Sequence, residues 1–345
     1  MHSGSGRASK RNLFGLKSDP GIFLGAAGCI LVFVVSTIIL GATARDAFTV
    51  ISGGLMTYFG WMYIGGVSLV FIFLLGVFVS RYGRLKLGDD DEDPRYPLPV
   101  WFSMIFAGGV GAVLMFWGVA EPINHAFNVP MANADPMSEA AIRQAFVFTY
   151  YHFGIHMWVI FVLPGLALGY FIYKRKLPPR LSSIFAPLLG GRIYSWPGKL
   201  IDILAIIGTT FGIAVSVGLG VLQINSGLNK MWDVPQVSWV QLVIILVITG
   251  LGCLSVGAGL EKGIKLLSNI NIALAVALMV FILVTGPMLT LLKFVIESFG
   301  IYATGLPEVM FWTDSFDDNP GWQGTWTMFY WAWTICWSPY VGMFV

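Results

Sequence analysis

The chain has 345 residues, 57% of them hydrophobic and only 11% charged, with a net charge of +2. Soluble domains carry about 25% charged residues, so this composition cannot build a water-facing shell. It excludes soluble enzymes, nucleic-acid binders and disordered chains. The charges are also bunched, leaving eight charge-free stretches at 20–44, 47–80, 96–120, 144–173, 203–229, 234–260, 266–292 and 319–345. A helix needs about 20 apolar residues to cross the hydrocarbon core, whereas a barrel strand needs about 10 of alternating polarity. Every stretch suits the helix, and the expected class is an all-α, polytopic helical membrane protein.

In chain order, residues 1–19 form a polar, basic tail. The first stretch is too long for a signal-peptide core and reads as a retained span. The first two spans, 21–42 and 57–80, are mostly aliphatic and aromatic. The loop between spans two and three holds the acidic run Asp89–Asp93, read as a solvated loop with a regulatory contact as the alternative. The third span, 98–119, places Gly108, Gly109 and Gly111 in mid-membrane, which marks either close packing or an unwound segment lining a cavity. The fourth span carries Tyr150, Tyr151, Phe153, Trp158 and Phe161, with His152 and His156 four apart. The loop 174–199 is punctuated by Pro178–Pro179 and Gly190–Gly191. The fifth span, about 199–228, contains Thr209, Thr210, Ser216, Gln223 and Asn225. Residues 288–304 have apolar positions at helical spacing around Lys293 and Glu297, the pattern of an interfacial helix. An outside loop follows to 324, and the last stretch ends at Val345 without a polar tail, so the sequence is expected to continue.

Orientation follows from lysine and arginine. With the N-terminus cytoplasmic and eight crossings, only Arg45, Arg143, Lys230 and Lys293 fall outside, and the other sixteen of the 20 basic residues fall inside. Cys29, Cys253 and Cys336 lie far apart within apolar stretches and read as small core residues, not a disulfide framework.

Trp326, Trp331, Trp333 and Trp337 crowd the last span. Trp333 and Trp337 are four apart and share a helix face, and adjacent indole faces hold a quaternary ammonium by cation–π attraction. An interfacial aromatic belt is the alternative reading. A metal at His152 and His156 would want a third ligand, and neither a cysteine nor a further in-span histidine is evident, so packing or loop hydrogen bonding is expected of them. Glu121 and Asp202 read as capping or loop residues at span ends. No nucleophile elbow, P-loop or paired in-membrane carboxylate indicates an enzyme.

Three segments, FAGGVGAVLMFWGVAEP (106–122), GIKLLSNINIALA (263–275) and WTMFYWAWTICWSPYVGMF (326–344), resemble the betaine/choline/carnitine transporter family. The resemblance implies a leucine-transporter-like fold. Its parts would be two peripheral helices at 20–97, a five-helix repeat at 98–287, an interfacial helix and loop at 288–324, and the start of an inverted second repeat at 325–345. It implies a secondary transporter that imports glycine betaine, choline or carnitine by alternating access, coupled to sodium, in the bacterial inner membrane as a homotrimer. Proton coupling or exchange, or an osmosensor without transport, are the alternatives, and no cofactor other than the coupling ion is implied.

The residues carried over to the substrate are Trp333, Trp337, Trp158, Phe153, Phe161 and Tyr330, with Gly109 and Gly111. Phe153 and Phe161 stand where the family has Trp and Tyr, and Thr334 where it has a further Trp. The sodium residues carried over are Ala107 and Val110 through backbone carbonyls, with Thr209 and Tyr340. The family's second threonine in the fifth span is Ile213 here, and the third glycine of its G-x-G-x-G is Val113.

Overall fold

The computed structural model describes residues 19–94, 96–109, 111–259, 263–316 and 318–344, and contains no strand among them. Apart from Asp19 the basic tail lies outside the described residues, as does Val110.

Helix α1, Pro20–Leu40, starts where the Asp19 carboxylate accepts the Gly21 amide at 2.9 Å, an N-cap that satisfies an orphan donor. Gly41, at φ +51°, makes the tight turn that a side chain would disfavour. Helix α2, Ala42–Val79, then runs for 38 residues, about 57 Å at 1.5 Å per residue, and overreaches a hydrocarbon core of about 30 Å. The third span is two helices, α3 at Leu98–Gly109 and α4 at Gly111–Phe127, inclined by 63° across the glycine stretch. The fourth is α5, Glu139–Phe153, and α6, Ile155–Gly169, separated by Gly154 and continued by a π-helical turn at Tyr170–Lys174. The following loop folds into 3-10 turns at Leu181–Phe185 and Gly190–Tyr194 around α7, Ala186–Leu189.

Helices α8, Trp196–Trp232, α9, Ser238–Gly257, and α10, Lys265–Thr285, come next. Helix α11, Met288–Val309, continues past the expected 288–304 and has the length and apolarity of a span. The last segment is a π-helical turn at Gly324–Met328 followed by α12, Phe329–Phe344. Each of the eight charge-free stretches contains helix among the described residues, and seven or eight helices are apolar and long enough to cross a membrane; these include α11, expected to be interfacial, and not α12, which is 16 residues long.

Helix α12 lies at the centre. It packs against α6 on one side and α8 on the other, while α4 packs on α5, α11 on α5, α10 on α3, and α1 and α9 on α8. Small residues set the approach. A Cβ on Gly342 would fall 2.8 Å from the Gly165 amide nitrogen, and one on Gly212 would fall 3.0 Å from the Trp337 side chain. Pro339 cannot donate to the Ile335 carbonyl, and the Ser338 hydroxyl donates to it instead at 2.9 Å. The core is aromatic: Phe148, Tyr151, Phe161, Tyr330 and Trp331 are fully buried there. The three cysteines do not belong to it. Cys29, Cys253 and Cys336 are exposed free thiols. For the first two the reason is that α1 and α9 turn most of their apolar surface outward, where lipid replaces water as the solvent, while Cys336 lies on a face of α12 that the described residues leave uncovered.

Ion pairs join segments distant in sequence. Lys199 meets Asp19 at 3.1 Å, Lys174 meets Asp90 at 2.8 Å, and Lys176 meets Asp89 at 3.2 Å. The Asp89 and Asp90 side chains remain exposed to solvent, as expected of the acidic run, while pairing with the loop after α6. The hydrogen bond from Lys174 holds the Asp90 carboxyl below its ordinary value.

The close contact of α12 with α6 yields a test. Gly342→Val should lower the melting temperature in detergent, because a forced side chain costs about 1–3 kcal/mol. Gly28→Val, where nothing lies within 4 Å, should not. Equal melting of the two variants would refute the packing.

Candidate substrate site and its buried carboxylate

Helices α3, α5, α6 and α12 bring the expected aromatic residues into one array. Trp333 and Trp337 stack at 5.9 Å with planes 23° apart. Phe161 meets Trp337 edge-on at 6.1 Å, and Trp158 meets Phe161 at 5.8 Å. At the other end Tyr330 lies 6.1 Å from Trp333 and 5.2 Å from Phe153. Gly109 closes the array, since a Cβ there would stand 3.0 Å from the Trp158 ring; glycine is what lets the α3 backbone approach the indole. Gly111 opens α4 just beyond. The Trp333 Nε1–H donates to the Gly212 carbonyl at 3.1 Å, which fixes its ring orientation. At their separation no layer of space remains between the two indoles, so a cation would meet the pair from one side and not between its faces. Tyr330, Trp333, Trp337 and Phe161 are all buried.

The residues carried over to sodium are spread over three elements. Ala107 on α3 and Thr209 on α8 are half-buried, and Tyr340 on α12 is 40% exposed. Helix α12 packs against both α3 and α8. Val110 lies outside the described residues.

Beside the array is a feature that the sequence reading passed over. Glu121 neither caps a helix nor lies in a loop: α4 continues to Phe127, and Glu121 is completely buried. Its Oε1 contacts His125 Nε2 at 3.1 Å and His152 Nδ1 at 2.5 Å, and its Oε2 accepts the Tyr330 hydroxyl at 2.7 Å. The other nitrogen of His152, Nε2, lies 2.9 Å from the Thr327 hydroxyl, so this imidazole bridges the carboxyl group and the start of the last helical segment. Rings close the surroundings: His125 lies 4.5 Å from Trp326 and 5.1 Å from Trp322, and Trp117 meets Trp326 at 5.5 Å.

The two histidines of the fourth span therefore divide. His156 is buried among Phe71, Tyr151 and Trp331, the packing role expected of it, while His152 belongs to the polar hub. A third potential ligand does exist, because Glu121, His125 and His152 offer atoms within 4.8 Å of one another. Both imidazoles share a single carboxylate oxygen, Oε1, and His125 Nδ1 is left buried without a partner among the described residues. The available signal was Glu121 and His125 four apart in VAEPINHAF, together with the rule that an ionisable residue in a membrane helix is functional by default.

Three elements meet at this carboxylate, so removing it should cost more than removing one donor. Breaking a buried charge-centred network costs about 3–5 kcal/mol, and losing one hydrogen bond about 1–3 kcal/mol. Glu121→Ala should therefore lower the detergent melting temperature well beyond Tyr330→Phe. Small and equal shifts would dismiss the hub as a stabilising centre.

The family described as "BCCT, betaine/carnitine/choline family transporter" is matched over residues 21–345. The ectoine/glycine betaine/proline transporter EctP of Corynebacterium glutamicum is 75% identical over 335 residues, covering 97% of this chain and 54% of that protein. The glycine betaine transporter OpuD of Bacillus subtilis is 37% identical, covering 92% of this chain and 62% of that protein. The osmo-dependent choline transporter BetT2 of Acinetobacter baylyi is also 37% identical, covering 94% and 47%. The chain spans about half the length of the curated relatives it matches. A match that runs through the glycine stretch, the buried carboxylate and the tryptophan-rich helix leaves one assignment: the chain belongs to the betaine/carnitine/choline transporter family.

Proposed function

We propose that the protein is a secondary transporter that imports a compatible solute bearing a quaternary or secondary ammonium group. Glycine betaine is the first candidate, with ectoine and proline beside it, as named for the relative at 75% identity. The observation that carries this reading is the unbroken aromatic array from Phe153 through Tyr330, Trp333, Trp337 and Phe161 to Trp158, floored by Gly109. A trimethylammonium group cannot donate hydrogen bonds, and aromatic faces are the partners that hold it. Alternating access in a leucine-transporter-like architecture, in a trimer with a cytoplasmic N-terminus in the bacterial plasma membrane, accounts for the span pattern and the one-sided basic loops. Helix α11 then lies along the outer interface.

Sodium is the proposed coupling ion, held by the backbone of Ala107 and Val110 with Thr209 and Tyr340. Proton coupling is the second reading. It is favoured by Ile213 in place of a second hydroxyl and by a buried carboxylate–imidazole centre next to the array.

In proteoliposomes of the full-length protein, Trp333→Leu or Trp337→Leu should weaken betaine binding about 5- to 30-fold. That is the value of a desolvated cation–π contact of about 1–2 kcal/mol. Unchanged uptake would overturn the aromatic site. Replacing sodium by potassium at constant membrane potential should abolish uptake, whereas uptake that follows an imposed pH gradient would assign the proton instead.

A further inference from the structure

The loop joining α6 to α8 and the first turn of α8 carry Lys174, Arg175, Lys176, Arg180, Arg192 and Lys199 with no acidic residue among them. Four of these charges are met by carboxylates: Lys174 by Asp90 at 2.8 Å, Lys176 by Asp89 at 3.2 Å, Lys199 by Asp19 at 3.1 Å and Arg180 by Asp202 at 3.6 Å. Arg175 and Arg192 have no carboxylate partner among the described residues. Arg175 lines a cavity of about 500 Å³ whose other walls include Tyr170, Phe171, Leu177, Pro187 and Ile193. Arg192 stands between Ile193 and a further lining residue, Gly191.

The cavity is preformed. Buried Asp202 accepts the Ser182 amide at 2.8 Å and its hydroxyl at 2.9 Å, tying the loop to α8. Arg180 donates to the Ile193 carbonyl at 3.0 Å and lies over the Tyr194 ring. Tyr194, a lining residue, is 57% exposed, and Tyr173, Leu188 and Trp196 on the flanking segments are between 55% and 83% exposed. Exposed Tyr and Trp at the ends of membrane helices mark the headgroup level.

A cavity at that level with apolar and aromatic walls and an unpaired guanidinium fits one class of ligand. We propose that the cavity between the Tyr170–Lys174 turn and the Ala186–Tyr194 segment binds an anionic phospholipid. Arg175 forks onto the phosphodiester and Arg192 supplies a second positive charge. The planar fork matches phosphate oxygens in pairs, and basic pockets at the ends of membrane helices suit acidic headgroups. A free phosphate would satisfy the arginines but leave the apolar walls unused, so the lipid is the occupant to which the shape commits.

The test uses the full-length protein in micelles with equal amounts of phosphatidylglycerol and phosphatidylcholine, with retained lipid counted by native mass spectrometry. The wild type should retain phosphatidylglycerol preferentially. Arg175→Gln should reduce that preference about tenfold, the value of one charge-assisted hydrogen bond. Arg175→Lys should recover part of it, and Arg45→Gln, at a pair outside this cavity, should leave it intact. Undiminished preference in Arg175→Gln would overturn the site. Displacement of the bound lipid by glycerol phosphate alone would overturn the lipid assignment in favour of a free anion. Neither outcome bears on solute transport, so the site and the proposed function fail separately.

Discussion

A carboxyl group enclosed by protein inside a membrane has to find its hydrogen bonds within the fold, because lipid tails supply no donor. Glu121 meets that demand with His125 from its own helix, His152 from α5 and Tyr330 from α12. Leaving such a group unpaired costs several kcal/mol, so the three helices are confined to a narrow range of relative positions. The rest of the interior follows from this. Tyr330 is held at a fixed depth, and its ring lies against Phe153 and Trp333, where the aromatic array begins. The π-helical turn at Gly324–Met328 brings Thr327 into reach of His152, and π-bulges recur at functional positions for this reason.

The same constraint explains why the array is aromatic from end to end. Once the polar atoms of the interior are concentrated at the carboxylate, the neighbouring space can be lined by faces that bind a cation without hydrogen bonds. Of the array's polar handles, the Trp333 indole N–H is held by the Gly212 carbonyl and the Tyr330 hydroxyl by Glu121, while the buried Trp337 indole N–H has no protein partner among the described residues. Small residues at 109, 212 and 342 let the helices approach closely enough to close this surface. On the opposite principle, the loop after α6 concentrates charge at one face, where water and headgroups can satisfy it. Most of that charge is spent on fixing the loops to one another.

Much of this was legible in the residues. The charge-free stretches mark the helical segments, and the i, i+4 spacing of Trp333 and Trp337 predicts their stacking. The glycines of 108–111 raised two readings, close packing and an unwound segment lining a cavity; the packing is there, with Gly109 against Trp158, and the helix axis turns between α3 and α4. Glu121 was misread because its stretch ends at residue 120 by charge, whereas the helix runs on through Pro122 to Phe127. A charge counted as a boundary was in fact an interior residue with distant partners. The cysteines were misread for the converse reason: in a membrane, an apolar position is as well satisfied outside as inside.

Composition by itself therefore determined the solvent, since 11% charge cannot clothe a water-soluble surface, and the spacing of tryptophans marked the helix at the centre of the aromatic array. Local rules reach that far because apolarity and helical period act between residues close in sequence. Tertiary structure alone decided which of the buried polar groups belong together. His152 and Tyr330 lie 31 and 209 residues from Glu121, and hydrogen bonds over such separations depend on which helices become neighbours, a choice made by the whole packed interior.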